Sequence, residues 1–451
     1  MFLLQRIKSL YANEGFKKYL ANTSWLFGEK LARLVIGLIV SAYVARYLGA
    51  ENFGVINYAI SFVAIFTSFS TLGSDEIVIN KLLQKKYDQN VLLGTSFILR
   101  LLAFLLAIII ITITLTFFSN DVSNNIYILI IASGIVFQPF NVIDLYFQSR
   151  VQSKYIAIAS LVSLIINSML RLYFIYIKAP LTYFVGLLVL ENLILAIGLI
   201  FFYYRNNNSI LTWKYNKDIA KKIFYLSLPL MLSTVIITIY MKIDQLIIKE
   251  KLDLSSVGNY SAAARISELW YFIPMTIGSS LFPAIINAKK NNEILYKKRL
   301  QQLFDLMVVL SLAIAIAVSF SSDWIIATLY GYKFSEAADV LTIHIWAGVF
   351  VFIGVANSKF TIIENLTRIA LYRTLLGVSL NIVLNLVLIP KLGIRGAAIS
   401  VLVSQFMSSY FSSLFWKKTR PSFLLATKSL TVVSLVKRFF SENKTDSDAK
   451  L

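Results

Sequence analysis

Seven cations stand inside apolar runs long enough to cross a bilayer: Lys30, Arg33, Arg100, Arg171, Lys242, Arg265 and Arg373. A charge at mid-bilayer costs about 2.5–3.5 kcal/mol even on the lenient insertion scale. Each must therefore face a polar interior, pair with an acid, or snorkel to a surface. Lys30 and Lys242 lie within a few residues of span ends, where a long aliphatic stem can reach the headgroups or turn into a cavity. Arg33, Arg171 and Arg265 are deeper and call for a polar cavity. Arginine presents a planar fork that matches phosphate oxygens in pairs, so the chemistry these residues suit is recognition of a phosphate-bearing anion. With the orientation argued below, Lys30 and Arg33 fall on the inner half of the membrane and Arg171, Lys242 and Arg265 toward the outer half. That ladder suits an anion that must move across.

Three of the acids within the spans stand out beside them. Glu268 follows Arg265 at i+3, where it can orient the guanidinium. Asp144 and Glu191 could take up a proton as coupling groups, or simply pair with Arg171 or Arg100. Catalytic signatures are lacking: there is no phosphate-cradling G-x-x-x-x-G-K-[ST], no cysteine, and one histidine, His344, which reads as a packed residue. The only D-x-D, Asp446-Ser-Asp448, lies in a polar tail. No enzyme activity, cofactor or metal is expected.

The elements that must hold these residues follow from composition. The chain is 58% apolar and 15% charged with a mean hydropathy of +0.72, against about 45–50% and 25% for a soluble domain. A helix needs about 20 apolar residues to cross a bilayer, and twelve segments qualify. They lie near 25–47, 53–74, 91–118, 126–149, 155–178, 181–204, 223–248, 257–283, 303–329, 337–360, 367–389 and 394–416. The net charge of +20 would suggest nucleic acid in a soluble protein, but here it has a topological cause. Of 43 lysines and arginines, 29 fall in loops on one side and 7 on the other, which places both termini in the cytoplasm and leaves no role for nucleic acid.

The polar stretch 205–222 divides the spans six and six, and weak internal similarity supports the division. LGAENFG (48–54) and LDLSSVG (252–258) both join the first and second span of their half, and Asn167-x-x-Leu170 and Asn381-x-x-Leu384 both fall in the fifth. Parallel repeats of this kind give two lobes about an axis along the membrane normal. The expected fold is all-α: twelve membrane helices in two six-helix lobes around a central cationic cavity. The expected segments are an interfacial stretch at 1–22, an N-lobe at 23–205, a linker at 206–222, a C-lobe at 223–416 and a basic tail at 417–451. Serine, threonine and asparagine stripes on the spans, such as Asn57, Ser61 and Ser68, read mostly as helix packing.

Three stretches carry a family resemblance: NTSWLFGEKLARLVIGLIVSAYVARYLGAENFGVINYAISF (22–62), GNYSAAARISELWYFIPMTIGSSLFPAI (258–285) and NIVLNLVLIPKLGIRGAAISVLVSQ (381–405). Together they resemble the Wzx-type polysaccharide flippases of the multidrug/oligosaccharidyl-lipid/polysaccharide exporter superfamily, over residues 20 to 416. The resemblance implies alternating access and transfer of undecaprenyl-pyrophosphate-linked oligosaccharide to the outer leaflet of a bacterial plasma membrane, beside lipids and polysaccharide polymerase and chain-length machinery. Lipid II flippases of the superfamily use arginines in the first, second and eighth spans. Arg33 and Arg265 stand in comparable spans here, but the second span has no internal cation, so a three-arginine site does not carry over. The pyrophosphate ligands expected are Arg33 and Arg265, helped by Lys30, Arg171 and Lys242. The rivals are a multidrug exporter on the same fold, which would need acids in its cavity, and a polytopic polymerase or glycosyltransferase, which would need a large outward catalytic loop. Pro274 is placed to kink the eighth span below Arg265.

Overall fold

The computed structural model describes residues 14–118 and 121–431. Most of the expected interfacial segment, from Phe2 to Tyr11, and the end of the tail with Asp446 and Asp448 lie outside the described residues.

Among the described residues all regular structure is helical. In lipid, a helix is the one open-ended element that satisfies its own N–H and C=O groups, so the long apolar runs have no alternative. Eleven stretches among the described residues are long and apolar enough to span. The first of them, Asn22–Gln84, is 63 residues long and holds two spans, which recovers the twelve read from the sequence. The chain turns between these two at Gly49, with φ 79° and ψ 172°, a conformation open essentially to glycine alone. The LGAENFG stretch is thus a true connection. The chain forms two compact units, Met1–Lys242 and Ile243–Leu451.

The first unit contains α1 (Glu14–Ser70), α2 (Asp75–Gln84), α3 (Gln89–Phe118), α4 (Val122–Ser133), α5 (Val142–Ser149), α6 (Lys154–Tyr176), α7 (Leu181–Arg205) and most of α8 (Lys217–Lys251). The fourth span is broken: 3-10 turns at Gly134–Asn141, with Pro139 inside them, separate α4 from α5. Proline removes one backbone donor and its ring crowds the preceding turn. One apolar cluster gathers Leu93, Ile143, Phe147, Leu199 and Tyr203, another Val40, Val44, Phe184 and Val185. The pairs α1–α6 and α6–α7 pack along their lengths. Two buried bonds tie the second pair: Ser163 Oγ donates to the Glu191 carbonyl at 2.9 Å and Asn167 Nδ2 to the Leu187 carbonyl at 2.7 Å. The polar stretch after α7 is held down as well. Its Trp213 Nε1 donates to Tyr203 Oη at 3.2 Å, and Asn216 N to Thr95 Oγ1 at 3.1 Å.

The second unit contains the end of α8, α9 (Leu254–Leu269), α10 (Phe272–Asn291), α11 (Glu293–Leu329), α12 (Glu336–His344), α13 (Ala347–Ile363), α14 (Thr367–Leu392), α15 (Ile394–Gln405) and α16 (Arg420–Leu430). The eighth span breaks at Trp270–Tyr271, between α9 and α10. Pro274 sits one turn into α10; its missing N–H cannot bond the Trp270 carbonyl, so the expected kink falls on the residues just before it. Gly396 lets α15 cross α14 closely, since a Cβ there would lie 2.4 Å from the Leu388 carbonyl oxygen. After Gln405 the twelfth span widens into a π turn, Phe406–Tyr410.

Candidate functional site

The packing of α1, α6 and α7 brings Arg33, Arg171 and Glu191 together. Arg33 donates from one terminal nitrogen to Glu191 Oε1 at 3.2 Å, and Arg171 from Nη2 to Glu191 Oε2 at 3.3 Å. The other flank of Arg33 is occupied by its own helix: Nε donates to Glu29 Oε1, four residues earlier, at 2.9 Å. Side-chain exposures of 39% for Arg33, 27% for Glu191 and 21% for Arg171 leave the network reachable, while Glu29 at 11% is nearly enclosed. Two arginines are matched by two carboxylates, and this explains how α1 and α6 carry guanidinium groups at membrane depth. The sequence placed Arg33 and Arg171 on separate rungs of a ladder. Both reach one carboxylate, because arginine is long enough for guanidiniums rooted at different heights on neighbouring helices to meet.

Within the first unit, Lys30, Lys242 and Asp144 stand outside this network. Lys30 is exposed and Lys242 half-buried, and neither makes an ion pair with another described residue. In the second unit Arg265 projects from an otherwise buried stretch of α9 and is itself exposed, with Glu268 half-buried one turn on. Asp144 accepts a hydrogen bond from Gln148 Nε2 at 2.8 Å. With Asp75, Arg100, Gln138 and Asn141 it lines a polar cavity of about 100 Å³. Arg100 bonds Asp75 Oδ1 at 2.5 Å and Ser74 Oγ at 3.1 Å, so of the pairings open from the sequence Asp144 takes neither arginine as a direct partner.

A second polar centre lies wholly inside the second unit. Asp244 is buried on α8; Tyr260 Oη donates to its Oδ2 at 2.9 Å and Asn385 Nδ2 to its Oδ1 at 2.5 Å. Asn385 Nδ2 also lies 3.2 Å from Asn381 Oδ1, and Asn381 stands beside the same carboxylate. The His344 ring packs edge-on to Tyr260 at 5.9 Å, and its Nδ1 is 2.9 Å from Ser267 Oγ, which makes it the packed residue the sequence suggested. A carboxylate among amide and phenol groups can take a proton or a small hard cation on its oxygens. Arg373, also buried, spends its donors on the broken twelfth span: Ser408 O at 2.9 Å, Ser409 O at 2.8 Å and Ser412 Oγ at 3.0 Å.

A family model described as "Polysaccharide biosynthesis protein" matches residues 19–289, three-fifths of the chain and the whole of α6 to α9. The chain belongs to this family. A MatE model matches residues 229–387 as well. Among curated relatives, a Haloferax volcanii protein described as a probable low-salt glycan biosynthesis flippase is 26% identical over 189 residues, 39% of each chain. The capsular polysaccharide biosynthesis protein CapF of Staphylococcus aureus is 19% identical over 88% of this chain and 99% of its own. Among solved structures, the lipid II flippase MurJ superposes with a TM-score of 0.68 at 15% identity, covering 94% of this chain and 93% of the other. An inward-facing multidrug MATE transporter gives 0.67 at 14%, covering 90% and 95%. At these identities the structures speak for the fold alone, which is the two-lobe, twelve-helix fold. This polysaccharide biosynthesis protein is a multi-pass membrane protein.

Sequence reasoning passed over two functional candidates in this family member. Glu29 carried a signal, since an acid four residues before Arg33 faces it on a helix. Asp244 carried one too: it is an acid inside the seventh span, and Asn381 and Asn385 share a face of the eleventh at i, i+4.

Proposed function

We infer that this protein flips oligosaccharide units linked to undecaprenyl pyrophosphate from the cytoplasmic to the outer leaflet of a bacterial plasma membrane, by alternating access, for surface polysaccharide synthesis. The observation that carries the reading is the convergence of Arg33 and Arg171 on one carboxylate. It puts two guanidinium forks from different spans at one place, at membrane depth and partly open, as a pyrophosphate requires. Membership of a polysaccharide biosynthesis family supports it, as do relatives named for glycan and capsule synthesis.

In this reading Arg33, Arg265, Lys30, Arg171 and Lys242 serve the pyrophosphate in the course of its transfer. Glu268 orients Arg265, the sugars occupy polar surroundings, and the polyprenyl tail stays in lipid. Both termini are cytoplasmic, following the basic loops. The lipid partners are the carrier and the bulk membrane, and the polymerase and chain-length machinery receive the product. The protein moves its substrate without transferring a group. Asp144, on its small polar cavity, and Asp244, among Tyr260, Asn381 and Asn385, are the groups suited to take up a coupling proton or sodium ion. Export of cationic drugs, the rival that the MatE match keeps in view, would need an acid free to meet the drug. Asp244 instead has both oxygens engaged within its unit.

The test is Arg265→Ala and Arg33→Ala in a deletion strain: loss of surface polysaccharide at unchanged protein level supports the reading. Wild-type polysaccharide from both variants would overturn it, and so would drug resistance conferred by the wild-type protein with no defect in polysaccharide.

A further inference from the structure

A flippase that recognises phosphate at membrane depth faces a competitor in great excess, the anionic phospholipids around it. A bare pair of arginines would bind a phosphodiester headgroup readily. In this chain the pair is never bare. Glu191 takes one terminal nitrogen of Arg33 and one of Arg171, the atoms an incoming phosphate would use, whereas Glu29 holds Arg33 by the flanking Nε. The two acids therefore differ in role. Glu29 is nearly enclosed and aims the guanidinium. Glu191 is more exposed and covers the guanidinium ends. The Glu191 backbone is pinned to α6 through Ser163, so its side chain can leave the arginines while α7 stays in place.

We propose that Glu191 is an internal counter-anion that any bound anion must displace, and that it thereby sets the affinity threshold that keeps weakly held single-phosphate lipid headgroups off the arginine pair. This rests on the reading that Arg33 and Arg171 hold the pyrophosphate. The charge arithmetic gives the threshold. Replacing the Glu191 carboxylate with a phosphodiester exchanges one monoanion for another and gains little. A pyrophosphate diester brings two charges and a second set of oxygens, and gains against both guanidiniums. When the lipid leaves, Glu191 closes over the arginines again and the empty site is neutral. Glu191 is a positioning and gating residue acting through Arg33 and Arg171.

The experiment uses the full chain, purified in zwitterionic lipid nanodiscs, with farnesyl pyrophosphate and dihexanoyl phosphatidylglycerol as the two probes. The wild type should favour the pyrophosphate. In Glu191→Gln both probes should bind more tightly, each by about twofold to fivefold, the range expected for losing partly exposed ion-pair competition, so that phosphatidylglycerol occupies the site at concentrations that leave the wild type empty. Weaker binding of both probes to Glu191→Gln would mean that Glu191 merely orients the arginines, and unchanged affinities would also overturn the proposal. Should the glutamine variant fail to fold, Glu191→Asp carries the test: one methylene shorter, it should cover the guanidiniums less well and bind both probes more tightly, and affinities equal to wild type contradict the proposal. Arg33→Ala and Arg171→Ala separate the two levels. If they leave farnesyl pyrophosphate binding intact, the pyrophosphate reading fails with this proposal; if they abolish it while Glu191→Gln binds both probes as the wild type does, only this proposal fails.

Discussion

Arg33 on the first span and Arg171 on the fifth hold the two oxygens of a single carboxylate, Glu191, at 3.2 and 3.3 Å. The arrangement makes Arg33 and Arg171 one site, and Glu29 and Glu191 balance its two guanidiniums until something displaces an acid. Each arginine needs its fork: Arg33 bonds through Nε and a terminal nitrogen at once. Lysine is a point charge on a flexible stem and cannot hold both acids in that geometry. Arg33→Lys should therefore keep protein level and thermal stability near wild type yet reduce surface polysaccharide at least tenfold (~1.4 kcal/mol by the usual conversion). Polysaccharide staining beside an immunoblot checks this; full activity in the lysine variant would reduce Arg33 to a simple positive charge.

The Asp244 centre gives a second prediction. Its two oxygens accept from Tyr260 and Asn385, so Asp244→Asn turns one acceptor into a donor facing a donor. A buried polar group left without a partner costs about 1–3 kcal/mol. The variant should unfold at lower temperature in detergent, and transport should fall further than that loss explains. Asp244→Asn paired with Tyr260→Phe, which removes the opposed donor, should recover stability but not transport. Recovery of both would make the centre purely structural.

Arg373 supplies a third. It is buried and gives its donors to Ser408, Ser409 and Ser412 around the π turn. Arg373→Met keeps length and removes the donors, leaving Ser409 O with Asn357 Nδ2 alone and Ser408 O with Ser412 Oγ alone. Hydrogen bonds from a charged donor are worth about 1.5–3 kcal/mol each, so the loss should be large enough to lower the amount of folded protein in the membrane. Fluorescence-detected gel filtration reads it directly; a monodisperse peak of wild-type height would mean that the turn finds other donors.

Much of this architecture was legible in the chain, and the reasons are physical. Twelve spans followed from apolar length, since lipid permits few other solutions for a backbone. The Gly49 turn sat inside a repeat that could be read without coordinates. The site was harder. Arg33, Arg171 and Glu191 were each visible as misplaced charges, but that they meet depends on the packing of α1, α6 and α7, over a separation of 158 residues for Arg33 and Glu191. Depth counted in residues along one helix misjudged where a long side chain ends. Asp244 was hidden for a similar reason, because its partners come from α9 and α14.

Gly49 offers a test of the fold independent of the site. With φ 79° and ψ 172°, any residue with a Cβ is strained there by about 1–3 kcal/mol. No atom crowds the position, so the whole effect is backbone strain. Gly49→Ala and Gly49→Val should lower thermal stability by similar amounts; a much larger loss for valine would point to crowding instead.

The central claim is that the arginines of this chain carry a lipid-linked pyrophosphate across the membrane. The most direct measurement is leaflet-resolved detection of the lipid-linked oligosaccharide in a deletion strain complemented with wild type, Arg33→Ala or Arg265→Ala. The account predicts outer-leaflet oligosaccharide with the wild type. With either variant the oligosaccharide should accumulate in the inner leaflet at equal protein level. Equal outer-leaflet signal from wild type and both variants, or from the uncomplemented deletion, would contradict it.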